Sequence, residues 1–197
     1  MRKTWISLIV VTLTVFAVLH TLTGPASSAE AQRMYVGVAK CKTCHKTDAQ
    51  GAQFPLWEKS SHAKAFATLA GEKAKAIAKE KGIEDPQKAD ACIKCHVTGH
   101  GVDAKFFGEG FLAADGVQCE ACHGAGGDYY KMATMKSLTK GEIEPASVGL
   151  VMPNKDLCVK CHNEGSPTFK GFEFEKMAAK IAHPIPAERK AQYKAAE

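Results

Sequence analysis

Eight cysteines stand in four pairs of identical spacing: Cys41/Cys44, Cys92/Cys95, Cys119/Cys122 and Cys158/Cys161. A histidine follows each pair directly, at His45, His96, His123 and His162. In an exported protein eight cysteines suggest four disulfides, and two C-x-x-C pairs can build a four-thiolate zinc site. Neither chemistry requires the histidine, let alone four times out of four. C-x-x-C-H is the signature for covalent attachment of a c-type haem. The two thiols add across the two vinyl groups of one porphyrin, and the next residue supplies the proximal nitrogen to the iron. The sequence therefore calls for four covalently attached haems c, with those four histidines as proximal ligands.

Three further histidines lie in the mature chain, His62, His100 and His183. With four irons nearby each is a candidate distal ligand. Two histidines on every iron would need eight, and the mature chain has seven once His20 leaves with an N-terminal signal. A homo-oligomer does not escape this, because exchanging ligands between identical copies conserves the ratio. At least one iron then carries methionine, another group, water or nothing. Met132 and Met135 in "GGDYYKMATMK" are candidates, Met152 a third; a methionine more often fills gaps between side chains. His96 already takes one face of its own haem. His100, four residues on past Gly99, is read as reaching a neighbouring haem.

The elements that must hold these residues read as mostly helical, with long irregular connections and little or no β-structure. Ser61 can cap a helix from His62 to about Lys81, closed by Gly82, with His62, Phe66, Leu69 and Ile77 near one face. Gly71 weakens its middle, so two shorter helices are an alternative. Asp85-Pro86 reads as the start of a turn leading into Cys92. A third helix is expected over Phe174 to Ile181, stopped by His183-Pro184. The unequal gaps between the four haem motifs rule out a regular solenoid. For its cofactor load the chain is small, so the porphyrins must form much of the apolar core, as thin-cored small domains commonly need staples.

Met1-Arg2-Lys3, an apolar run from Trp5 to Leu22 and the small residues Ala26, Ser27, Ser28 and Ala29 form a secretory signal peptide over residues 1–29. Residues 30–197 are then a single tetrahaem domain, periplasmic or carried to the cell surface, with no stable membrane span after cleavage. Of 26 Lys and Arg, Arg2 and Lys3 leave with the signal, so 24 basic residues face 21 acidic ones, a balance of +3. Eight haem propionates would reverse that sign, and no basic, aromatic-interleaved patch is present, which leaves a nucleic-acid role without support.

The stretches "SSHAKAF", "CIKCHVTGHG", "GVQCEACHGAGG" and "CVKCHNEGSPTFKGFEFEKM" resemble the cytochrome c-554 family of tetrahaem cytochromes across most of residues 36–183. Its type member accepts electrons from hydroxylamine oxidoreductase in ammonia-oxidising bacteria. The resemblance implies a mainly helical fold organised by stacked haem pairs. In the type member three haems are bis-histidine and one is five-coordinate. The resemblance supports His62 and His183 as distal ligands. Two departures bear on the ligands. This chain has Gly127-Asp128-Tyr129-Tyr130-Lys131-Met132 where the type member carries a further histidine, and His100 where it has phenylalanine.

The leading reading is an electron carrier, in which four irons relay electrons between a redox-protein donor and acceptor. It fits the lack of any triad, carboxylate pair or phosphate-binding loop. The alternatives are a reductase of a small nitrogen or oxygen species at an open haem, a membrane-anchored quinol dehydrogenase, and a homo-oligomeric extracellular haem filament, a form that some relatives of this broad family take.

Overall fold

The computed structural model describes residues 32–183 and 185; the signal peptide expected over residues 1–29 lies outside them. Nine short α-helices occur among the described residues, none longer than nine residues. They are α1 (Val38–Lys42), α2 (Gln53–Lys59), α3 (Ala65–Thr68), α4 (Glu72–Glu80), α5 (Asp90–His96), α6 (Cys119–His123), α7 (Met132–Thr139), α8 (Lys155–Cys158) and α9 (Phe174–Ala178). Single 3₁₀ turns and irregular chain connect them. No strand forms among the described residues; the only pairing is an isolated bridge between Tyr35 and Phe107. None of the described helices is long and apolar enough to cross a membrane. The mainly helical, strand-poor architecture matches the reading of the sequence.

Its details depart from that reading in two places. The helix expected from His62 to Lys81 is two helices, because Gly71 adopts an extended conformation as the N-cap of α4. His62 precedes α3 in a turn, and the local cap is Ser60, whose Oγ accepts from the Ala63 amide at 3.4 Å, not Ser61. Gly82 does close α4. At φ +67° it lets the Ile83 amide reach the Ala78 carbonyl and its own amide reach that of Lys79, the paired bonds that satisfy orphan carbonyls at a helix end. The last expected helix spans only Phe174–Ala178, followed by a turn.

Among the described residues the apolar side chains buried by the polypeptide are few: Val36, Val38, Phe54, Leu69, Ala78 and Tyr129. Three polar side chains are buried with them, Thr98, Gln118 and Glu120. These form a strap that closes the long loops. Gln118 accepts from the Val38 amide and donates to the Leu112 carbonyl, while its own amide bonds the Thr98 hydroxyl at 2.7 Å. That hydroxyl also donates to the Gly116 carbonyl. Glu120 accepts from the amides of Val36, Gly37 and Gly126. Leaving such groups unpaired would cost about 1–3 kcal/mol each, so the strap fixes how α1, α5 and α6 meet.

Candidate haem sites

The four C-x-x-C-H motifs, numbered sites 1 to 4 in chain order, all fold as one turn of helix. At site 2 the motif lies within α5, and at site 3 it is α6 itself. At sites 1 and 4 the first cysteine ends or nearly ends a helix and the turn continues past it. There the His45 and His162 amides each bond the carbonyl of their first cysteine, Cys41 and Cys158, at 3.0 Å. Asn154 starts the turn at site 4 by capping the Leu157 amide. One turn of helix brings residues i, i+3 and i+4 to the same side, so both sulfurs and the imidazole of each site share a face.

The imidazoles are oriented through Nδ1. His96 donates from Nδ1 to the Ala65 carbonyl at 2.7 Å, and His123 does so to Val151 at 3.1 Å. His45 Nδ1 lies 3.2 Å from Gln53 Oε1, and Gln53 uses its own amide group on the Gln50 carbonyl. An acceptor oxygen on Nδ1 places the proton there and leaves the Nε2 lone pair free, the arrangement a metal-ligating histidine requires. His162 stacks instead on Phe172, with centroids 4.9 Å apart.

Two of the remaining histidines come to face proximal ones. His62 lies opposite His162 with ring centroids 6.0 Å apart, and His183 opposite His123 at 5.9 Å. Metal–imidazole bonds of about 2 Å on each side, plus the ring radii, separate two imidazoles on one metal by about 6 Å. Burial pushes the His62 and His183 rings down from their ordinary values, helped by His162 and His123 respectively. Burial does the same to His123, a direction that favours the neutral ring a metal ligand needs. His62 is held by backbone. Its carbonyl accepts from Ala65 and Val117, and the turn packs so closely on Gly116 that a Cβ there would lie 2.8 Å from the His62 oxygen.

His100 behaves differently. Its Nε2 donates to Asp90 Oδ1 at 3.1 Å, beside its own motif and facing a cavity of about 640 Å³ lined by Ile93, Val97, Phe107 and Phe111. It is not brought opposite any proximal histidine. Met132 and Met152 point largely outward, 61% and 59% exposed. Met135 lies on α7, one turn along from Met132.

The cysteine thiols show which sites lie near one another. Cys41 of site 1 and Cys119 of site 3 lie close enough to share a proton, which with burial raises the Cys41 thiol and, against burial, lowers that of Cys119. Cys122 of site 3 is raised by burial and by Cys158 of site 4. Cys161 of site 4 is pushed up to about 11 by burial and by Cys95 of site 2. These influences link site 1 to site 3, site 3 to site 4 and site 4 to site 2. What sequence reasoning missed were the partners without a side-chain signature, the Ala65 and Val151 carbonyls, and the buried Gln118 and Glu120. The latter two flank Cys119, but nothing in their type distinguishes them from solvated residues.

The donor set suits covalent haem: paired thiols, two pairs of facing imidazoles at metal spacing, and a polypeptide core too thin to stand alone. Comparison with known proteins agrees. Residues 40–124 match the family described as cytochrome c554 and c-prime. The chain is 36% identical over 167 residues to cytochrome c-554 of Nitrosomonas europaea, covering 78% of this chain and 68% of that protein. The structure of the reduced state of cytochrome c554 from the same organism superposes with a TM-score of 0.56 at 25% identity, covering 78% of this chain and 86% of the other. From sequence, fold and motif geometry together, the chain belongs to the cytochrome c-554 family and is a c-type cytochrome of electron transport carrying four haems c.

Proposed function

We propose that the protein relays electrons between redox proteins through its four haems in the spatial order 1–3–4–2. Cys41, Cys44 and His45 hold the first haem, and Cys92, Cys95 and His96 the second. Cys119, Cys122 and His123 hold the third, and Cys158, Cys161 and His162 the fourth. His183 is the distal ligand at site 3 and His62 at site 4. Bound there, the haems supply reversible one-electron chemistry. The polypeptide fixes their spacing and orients the imidazoles of sites 1 to 3 through Nδ1. The reading rests on the family to which the chain belongs and on the nearness of the four sites, whose cysteine thiols act on one another's ionisation in the series 1, 3, 4, 2. A donor would dock near one end of that series and an acceptor near the other, in the periplasm after removal of residues 1–29.

Stopped-flow reduction by a slow one-electron donor tests the relay. All four haems should equilibrate among themselves faster than each electron arrives. A haem that reduces on its own, at a rate proportional to donor concentration, would sink the reading.

A second reading rests on one observation: no histidine faces His45 or His96 across a ligand-sized gap among the described residues. An iron at site 1 or 2 would then be open to a small molecule such as nitric oxide. Titrating the reduced protein with nitric oxide or carbon monoxide separates the two readings, since an unchanged spectrum removes the second.

A further inference from the structure

Glu120 is a buried ionisable side chain that the relay does not use. It is 2% exposed, inside the site 3 motif between Cys119 and Cys122. Its Oε1 accepts from the amides of Val36 at 2.8 Å and Gly126 at 2.6 Å, and its Oε2 from that of Gly37 at 2.8 Å. Every one of these donors is backbone, and no lysine or arginine pairs with it among the described residues. A carboxylate solvated by three amides and no cation keeps its field uncancelled, in surroundings where charge is poorly screened. The field reaches its neighbours: Glu120 is among the causes that raise Tyr35, after burial, and Tyr129, also after burial. It acts as well on Cys41, behind the bond to Cys119 and burial.

Its position relative to the haems is equally specific. Val36 and Gly37 lead directly into α1, which carries Cys41, and α1 packs on α6, which carries Glu120. The carboxylate therefore sits at the joint between the helices of sites 1 and 3. A nearby anion favours the more positive iron, and net charge and burial are among the levers a protein has on haem potential.

We propose that Glu120 is a positioning and tuning residue, whose buried charge ties the site 1 helix to the site 3 motif and lowers the reduction potentials of haems 1 and 3 selectively. This rests on the assignment of haems to the four motifs, and haem content checks that assignment separately. Haem-resolved redox titration by paramagnetic NMR, run on holoprotein with four haems per chain, is the test. Glu120→Gln removes the charge and should move the waves of haems 1 and 3 upward while those of haems 2 and 4 hold. Glu120→Asp keeps the charge one methylene short and should move the same two waves by less. Four unmoved waves in Glu120→Gln, a shift spread over all four haems, or equal shifts in the two variants would overturn the proposal. If Glu120→Gln does not hold four haems, Glu120→Asp decides alone: a shift confined to haems 1 and 3 supports it, and no shift or a uniform one overturns it.

Discussion

Sites 3 and 4 differ from sites 1 and 2 in one respect that the shared C-x-x-C-H turn conceals. At sites 3 and 4 a second imidazole stands about 6 Å across from the proximal one, His183 facing His123 and His62 facing His162. At sites 1 and 2 the proximal ring is oriented just as carefully, by Gln53 and by the Ala65 carbonyl, yet among the described residues no second imidazole pairs with it in this way. The attachment chemistry is local and repeats with the motif. The distal ligand must come from elsewhere in the chain, so it depends on tertiary contacts that each site makes separately. One protein can thereby carry identical attachment sites with irons of different ligation and potential.

The largest effect expected from breaking this contrast is a change of spin state at one iron. His183→Ala should convert haem 3 from six-coordinate low-spin to high-spin, and His62→Ala should do so at haem 4. EPR would show one low-spin signal lost per variant, and the reduced protein should gain one carbon-monoxide site per chain. Haem content should remain four, because the thioether bonds and proximal ligands are untouched. Retention of every low-spin signal in either variant would mean that the facing rings do not share an iron.

How much of this was legible beforehand follows the same division between local and tertiary. The four motifs, their proximal histidines and a helical, strand-poor chain could be read directly, because a C-x-x-C-H unit occupies a single turn and needs no distant partner. His62, His100 and His183 could be picked out as spare ligands by counting. Which of them faces what could not, since His62 meets His162 from a turn closed by the Val117 amide and the close approach of Gly116. The acceptors of His96 and His123 are backbone carbonyls, invisible to residue type. Gln118 and Glu120 look like ordinary polar residues beside a cysteine, and only their amide partners, about eighty residues away in the chain, bury them.

Gly116 offers a smaller and more local way to sharpen the contrast. It sits at φ +74° and ψ −135°, a region essentially reserved for glycine. A Cβ would also lie 2.8 Å from the His62 carbonyl and 3.2 Å from that of Ala63. Gly116→Ala should cost about 1–3 kcal/mol from backbone strain, read as a lowered Tm. It should also displace the His62 turn and weaken the low-spin signal of haem 4 before that of haem 3, where the facing His183 lies beyond α9. Equal perturbation of both haems would show that the strap around residues 116–120 supports the two sites together.

The smallest effect should come from His100, and it is informative because it is small. His100 spends Nε2 on donating to Asp90 Oδ1. Asp90 is 89% exposed and His100 29%, and a solvent-facing pair of this kind is worth about 0–1 kcal/mol. His100→Ala should therefore shift Tm little and leave the number of low-spin irons unchanged. A low-spin signal lost in His100→Ala would mean that the ring leaves Asp90 for an iron at site 1 or site 2. That site would then join sites 3 and 4 among the histidine-paired irons, leaving one open position where the present geometry indicates two. Counting low-spin irons in this one variant thus separates a carrier with a single reactive haem from one with two.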